Sequence, residues 1–137
     1  MENDSKKKRI LAIDDEPIII RISEKVLTGE GFEVDVACNG LVAKEMTGKT
    51  EYDFYLSDIR TPAMNGMQFY EYLRQEHPGQ ENKVIFTTGD VMSLDVKTFL
   101  SKRANLFLAK PFTPNDLRAV IRKAVASSSN TNEFYIG

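Results

Sequence analysis

Apolar residues fall along this chain in short runs separated by amphipathic stretches. Ile10-Leu11-Ala12-Ile13, Phe54-Tyr55-Leu56, Val84-Ile85-Phe86 and Leu106-Phe107-Leu108-Ala109 are continuous, the pattern of strands covered on both faces. Residues 32–37 alternate instead, with Val34 and Val36 on one side and Glu33 and Asp35 on the other, which predicts a strand at a sheet edge. Helix signals fill the intervals. Pro17 suits a first helical position, Ile19, Ile22 and Val26 share one face, and Gly29-Glu30-Gly31 supplies a stop. Asn39 is placed to cap a helix over 40–48. Asn65 and Gln68 can form a capping box for a third helix that buries Met67, Tyr70 and Leu73. A fourth helix is predicted over 91–101. The fifth opens at Thr113-Pro114, puts Asp116 at its third position and buries Leu117, Val120, Ile121 and Ala124. The polar stretch SSSNTNE beyond Ala126 carries no periodicity and reads as a linker or frayed tail. The expected organisation is a lead-in over 1–8, one domain over 9–126 and a tail over 127–137.

Strict alternation of strand and helix implies an α/β fold: a doubly wound five-stranded parallel sheet with five helices on its two faces. An edge-like second strand favours the order 2-1-3-4-5, in which ligands bind at the carboxyl ends of the strands near the switch between strands 1 and 3. Asp14 and Asp15 end the first strand, Asp58 the third, Thr88 the fourth and Lys110 the fifth. Converging carboxylates repel one another unless a positive charge sits among them. Oxygen ligands select a hard cation, and Mg²⁺ needs only one or two carboxylates together with phosphate and water. Acids, a hydroxyl and a lysine on one rim therefore suit a phosphoryl group held between a metal and an ammonium. Each residue alone has a plainer reading, as helix cap, turn or solvated strand end. Their coincidence at four strand ends favours a single site.

The totals narrow the class. The chain of 137 residues, 42% hydrophobic and 28% charged with a net charge of −2, has the composition of one soluble globular domain. It carries no global basic field for nucleic acid or anionic membrane, and no apolar run approaches the ~20 residues of a membrane span. The single Cys38 excludes an internal disulfide framework and a cysteine-based metal site; a reducing cytoplasm is the expected setting. Lys6-Lys7-Lys8-Arg9 reads as a solvated lead-in, and His77, before Pro78, as a turn residue.

The chain resembles the receiver domains of two-component response regulators, including the single-domain chemotaxis regulator. The resemblance covers roughly residues 8–126 and rests on DDEP, on SDIRTPAMNG around Asp58, on TTGD around Thr88 and on KPF from Lys110. It implies the flavodoxin-like form of the doubly wound sheet and makes Asp58 the acceptor of a phosphoryl group from a phosphohistidine. It also implies Asp15 as a direct Mg²⁺ ligand, Asp14 as a ligand through water and the main-chain carbonyl of Arg60 as a third. Lys110 would pair with Asp58 and then with a phosphoryl oxygen. Thr88 would be the switch hydroxyl and Phe107 its coupled aromatic, altering the surface of the fourth helix, fifth strand and fifth helix. The implied partners are a histidine kinase or histidine phosphotransfer domain, with self-association through that surface as a further option. No nucleic-acid or membrane contact by the domain and no enzymatic turnover beyond weak self-phosphorylation and self-dephosphorylation are expected. The segment from TTGD to KPF is most similar to receivers attached to hybrid histidine kinases.

Rival readings fail on particular residues. An FMN-binding electron carrier needs a Ser/Thr/Gly phosphate loop where this chain has DDEPII. A haloacid dehalogenase-type phosphatase needs a second aspartate two residues after its nucleophile, where Arg60 stands. A degenerate receiver, acting as a phosphorylation-independent interaction module, remains the alternative. Position 60 is commonly neutral in the family but is Arg here, and Asp90 follows Thr88 by two. On neighbouring strand ends these opposite charges are expected to pair across the site mouth, unless they are two solvated loop charges.

Overall fold

The computed structural model describes residues 7–136, with side chains through residue 128. Strands β1 (Arg9–Ile13), β2 (Glu33–Ala37), β3 (Phe54–Asp58), β4 (Val84–Thr88) and β5 (Phe107–Ala109) form one parallel sheet in the order β2-β1-β3-β4-β5. The intervening helices are α1 (Pro17–Gly29), α2 (Gly40–Thr47), α3 (Gly66–Glu76), α4 (Leu94–Ser101) and α5 (Pro114–Ile136). Successive β1 residues serve opposite layers, as the two-residue strand period requires. Ile10 packs with Leu27, Leu117 and Ile121 under α1 and α5, whereas Leu11 and Ile13 pack with Ala43, Phe69, Leu73 and Val96 under α2, α3 and α4. Leu117 and Ile121 are buried, each contributing ~2 kcal/mol through apolar area removed from water. No helix among the described residues is long and apolar enough to cross a membrane.

The expected caps are present. Asn39 Oδ1 accepts from Val42 N–H at 3.0 Å. Asn65 and Gln68 cap α3 reciprocally, each bond 2.9 Å. Thr113 and Asp116 do the same for α5 at 2.9 and 3.0 Å. Pro17 begins α1.

Other expectations are corrected. Helix α4 begins at Leu94 instead of residue 91, because the residues before it form a turn with side-chain partners elsewhere. β5 is an edge strand with Phe107 and Ala109 exposed, not a strand covered on both faces. In α3 Phe69 is fully buried and Met67 only partly so. The backbone of α5 continues through the segment expected to be a linker or tail. Between Pro114 and Gly137 no Pro or Gly interrupts it, and Ser, Thr and Asn each cost a helix only about half a kcal/mol relative to Ala. The lead-in expected over 1–8 lies outside the described residues as far as residue 6; Lys7 and Lys8 are exposed and irregular.

Candidate functional site

The carboxyl rim of the sheet is tied one residue beyond each strand by backbone bonds. Asp14 N–H donates to Ala37 O at 3.1 Å, Ile59 N–H to Thr87 O at 2.9 Å and Lys110 N–H to Thr88 O at 2.9 Å. These bonds fix the strand ends carrying Asp14, Asp58, Thr88 and Lys110 relative to one another. The loop from β3 to α3 then doubles back over Asp58. Gly66 N–H donates to Ile59 O and Gly40 N–H to Met64 O, both at 2.9 Å, and Thr61 Oγ1 donates to Met64 O at 2.8 Å. This folding back requires glycine at two places. A Cβ at Gly66 would lie 2.5 Å from Asp58 O, and one at Gly40 2.5 Å from Met64 O. Ala63, in the same loop, adopts φ 67°, a left-handed conformation costing ~1–2 kcal/mol. The Lys110–Pro111 bond is cis.

Asp14, Asp15 and Asp58 each present a carboxylate oxygen within 4.8 Å of the others. Asp14 and Asp58 are buried and Asp15 exposed. Lys110 Nζ lies 2.8 Å from Asp14 Oδ2, 3.2 Å from Asp58 Oδ2 and 3.6 Å from Glu16 Oε1. Backbone N–H groups meet the other carboxylate oxygens, Glu16 on Asp14 Oδ1 at 2.9 Å and Arg60 on Asp58 Oδ1 at 3.3 Å. Burial raises the Asp14 pKa despite the Lys110 bond, and the Asp58 charge adds to the rise. Burial likewise raises that of Asp58 against the attraction of Lys110. Burial works to lower the Lys110 pKa, but its bonds and charges with Asp14 and Asp58 leave it raised. One ammonium thus pairs with three carboxylates while Asp15 stands beside them, and the cluster has spare negative charge.

That donor set, all oxygen with acidic groups in excess, fits a hard divalent cation such as Mg²⁺. Millimolar Mg²⁺ should therefore stabilise the fold by about 1.4 kcal/mol at ten times its Kd, read as a rise in melting temperature absent with Asp15→Ala. A melt indifferent to Mg²⁺ would exclude a metal site.

The remaining predicted residues surround this cluster. Thr88 is fully buried, and its Oγ1 accepts from Asp90 N–H at 3.0 Å. Phe107 is turned outward and 37% exposed. Arg60 and Asp90 do pair, Nε to Oδ2 at 2.9 Å. Three participants escaped the sequence reading. Glu16 joins Lys110, and Ser93 and Asp95 join Arg60, at 3.1 and 2.8 Å from Nη2. The only available signal was an unusual Arg facing a stretch, Asp90 to Asp95, rich in acceptors.

The model of the response regulator receiver domain family matches residues 10–122, and the chain belongs to that family. Among curated relatives, the transcription factor SKN7 of Saccharomyces cerevisiae is 33% identical over 82% of this chain and 18% of its own length. The DNA-binding response regulator MtrA of Mycolicibacterium smegmatis is 31% identical over 87% of this chain and 51% of its own. The chain thus spans about half or less of those relatives. A solved receiver domain protein (CheY-like) from Methanospirillum hungatei is 29% identical, with a TM-score of 0.81 over 92% of this chain and 99% of that one. The protein is a receiver domain of the two-component signalling class, a signalling module of the chemotaxis-regulator fold.

Proposed function

We propose that Asp58 accepts a phosphoryl group from the phosphohistidine of a histidine kinase or phosphotransfer domain. The observation supporting this most is the setting of Asp58: a buried carboxylate at a strand end, 3.2 Å from Lys110 Nζ and ringed by Asp14 and Asp15. A carboxylate oxygen forms the new O–P bond while the N–P bond of the phosphohistidine breaks and the imidazole nitrogen keeps the electron pair. Asp15, Asp14 through water and the Arg60 carbonyl would hold Mg²⁺, which would supply the charge that lets a dianionic phosphoryl approach. Lys110 then exchanges a carboxylate oxygen for a phosphoryl oxygen. Thr88, whose oxygen accepts from the Asp90 N–H, moves to donate its hydroxyl hydrogen to the phosphoryl, and Phe107 follows it, altering the α4–β5–α5 surface where Met92, Leu94 and Phe107 are exposed. That surface is also where self-association would occur. On this reading the domain is a cytoplasmic phosphoacceptor rather than an enzyme, and its output belongs to whatever protein carries or meets it.

Incubation with acetyl phosphate and Mg²⁺ tests the reading. One acid-stable, hydroxylamine-labile phosphoryl group per chain is expected, and none in the presence of a chelator. A chain that takes up no phosphoryl group under these conditions is the degenerate receiver instead.

A further inference from the structure

Arg60 is bonded to more of the molecule than a site-mouth charge needs. Its Nε donates to Asp90 Oδ2 at 2.9 Å, and Nη2 donates to Ser93 Oγ at 3.1 Å and to Asp95 Oδ1 at 2.8 Å. One guanidinium thereby spans the turn after β4 and the first turn of α4. The same residue's backbone N–H is bonded to Asp58 Oδ1 at 3.3 Å, so this side chain is rooted at the reacting carboxylate.

Apart from Val96, helix α4 has little else to hold that end. Of its eight residues only Val96 is buried. Met92 and Leu94, beside its start, are 77% and 78% exposed, so Val96 is the one apolar anchor of the first turn. Ser93 at the N-cap makes no capping bond to the helix; its hydroxyl donates to Asp95 instead. The far end is packed differently. Phe99 stacks edge-on against Phe86 and Tyr70, with ring centroids 5.2 and 5.5 Å apart, and the Arg103 guanidinium lies 3.7 Å over Phe99. The helix is seated at its C-terminal end by aromatic packing and at its N-terminal end by the single core residue Val96 together with polar ties. Those ties are the Arg60 fork and the Asp90 N–H bond to Thr88.

We infer that Arg60 is a latch: it holds the first turn of α4 at the site mouth, and a phosphoryl group on Asp58 draws it away and frees that turn. The second half of this inference rests on the reading of Asp58 as phosphoacceptor. A phosphoryl group brings about −1.5 to −2 charge and three acceptor oxygens, and guanidinium matches phosphate in paired fashion. Against it stand single bonds to side chains half exposed to water, Asp90 at 45% and Asp95 at 56%, each worth little. When Arg60 leaves, Asp90 and Asp95 face one another without their shared cation. Because Thr88 is the other holder of Asp90, both restraints on the turn answer to the same group. Arg60 acts as a positioning residue for α4, and a neutral residue at 60 would leave α4 untied in both states.

Amide hydrogen exchange over residues 94–101 separates the two halves. In the metal-free, unphosphorylated protein, Arg60→Met and Asp95→Asn should each speed exchange there roughly threefold to tenfold. The double variant should be no faster than either, and high salt should produce the same loosening in the wild type. Unchanged exchange in Arg60→Met overturns the latch. With acetyl phosphate and Mg²⁺, wild-type exchange should rise to the Arg60→Met level, while Arg60→Met itself rises no further. A wild type that carries the phosphoryl group yet keeps its α4 protection overturns the release, as does an equal rise in Arg60→Met. A wild type that takes up no phosphoryl group overturns the role of Asp58 and the release together, while the unphosphorylated variants still decide the latch.

Discussion

An Asp58→Asn protein should take up no phosphoryl group from acetyl phosphate, and in metal-free buffer it should melt higher than the wild type. The first result follows from removing the oxygen proposed to attack phosphorus while keeping the shape of the side chain. The second follows from the electrostatics. Burial holds the Asp58 pKa above its ordinary value in spite of Lys110, so the ionised carboxylate is less favourable folded than unfolded. Asn resembles the protonated form, still accepts from the Arg60 N–H, and leaves Lys110 its shorter bond to Asp14. The expected gain is on the order of 1 kcal/mol, or about 3–6 °C. Labelling of Asp58→Asn equal to the wild type would sink the assignment. A lower melting temperature would mean that attraction to Lys110 outweighs the cost of burial.

Lys110→Met should be the most damaging single change at this rim, costing about 3 kcal/mol at pH 7 without metal. It leaves Asp14 and Asp58 buried with no cation between them. The loss should depend on pH in a defined direction. Both aspartates have raised pKa values in the fold, so between 3.8 and those values the folded state binds more protons than the unfolded one. Stability then rises as pH falls through that window, and more steeply without Lys110. The lysine's own raised pKa gives stability that is present below 10.5 and lost above it, so the wild type should weaken in alkali where Lys110→Met does not. Glu30 and Glu71 have lowered pKa values from their Arg122 and Arg74 partners and lose stability in acid, equally in both proteins. Denaturant melts at several pH values, with and without Mg²⁺, measure the difference. A deficit unaffected by acid or by Mg²⁺ would come from lost packing of the lysine stem instead.

The parts of the molecule legible in the sequence were those written locally. Continuous apolar runs marked β1, β3 and β4 because both faces of each are covered, and alternating residues marked β2 as an edge. Asn39, Asn65 with Gln68, and Thr113 with Asp116 cap helices through bonds spanning three residues, so their spacing sufficed. Convergence of Asp14, Asp15, Asp58, Thr88 and Lys110 followed from topology alone, since parallel strands bring all their carboxyl ends to one side. What topology could not say is which carboxylate Lys110 prefers, because that depends on side-chain reach across strands. The start of α4 is hidden in the sequence for a related reason. Ser93 and Asp95 look like ordinary helix-opening residues, but their oxygens face Arg60, far away in sequence. The extent of α5 is not legible because Ser, Thr and Asn disfavour a helix only weakly, and a polar stretch without Pro or Gly does not by itself mark an end.

Gly66 donates nothing to the chemistry, yet it sets the mechanical tolerance of the site. The atoms its missing side chain would strike are the backbone of Asp58 and Ile59, which cannot rotate aside as a side chain can. The start of α3 therefore rests directly on the main chain of the proposed phosphoacceptor, like a gauge block seated against the part it locates. Any thicker residue would have to lift the helix or tilt the strand end, moving the carboxylate relative to Lys110 and the two acids on β1. How accurately that carboxylate is presented is thus fixed by one hydrogen atom's width at a position with no charge, no polarity and no reach.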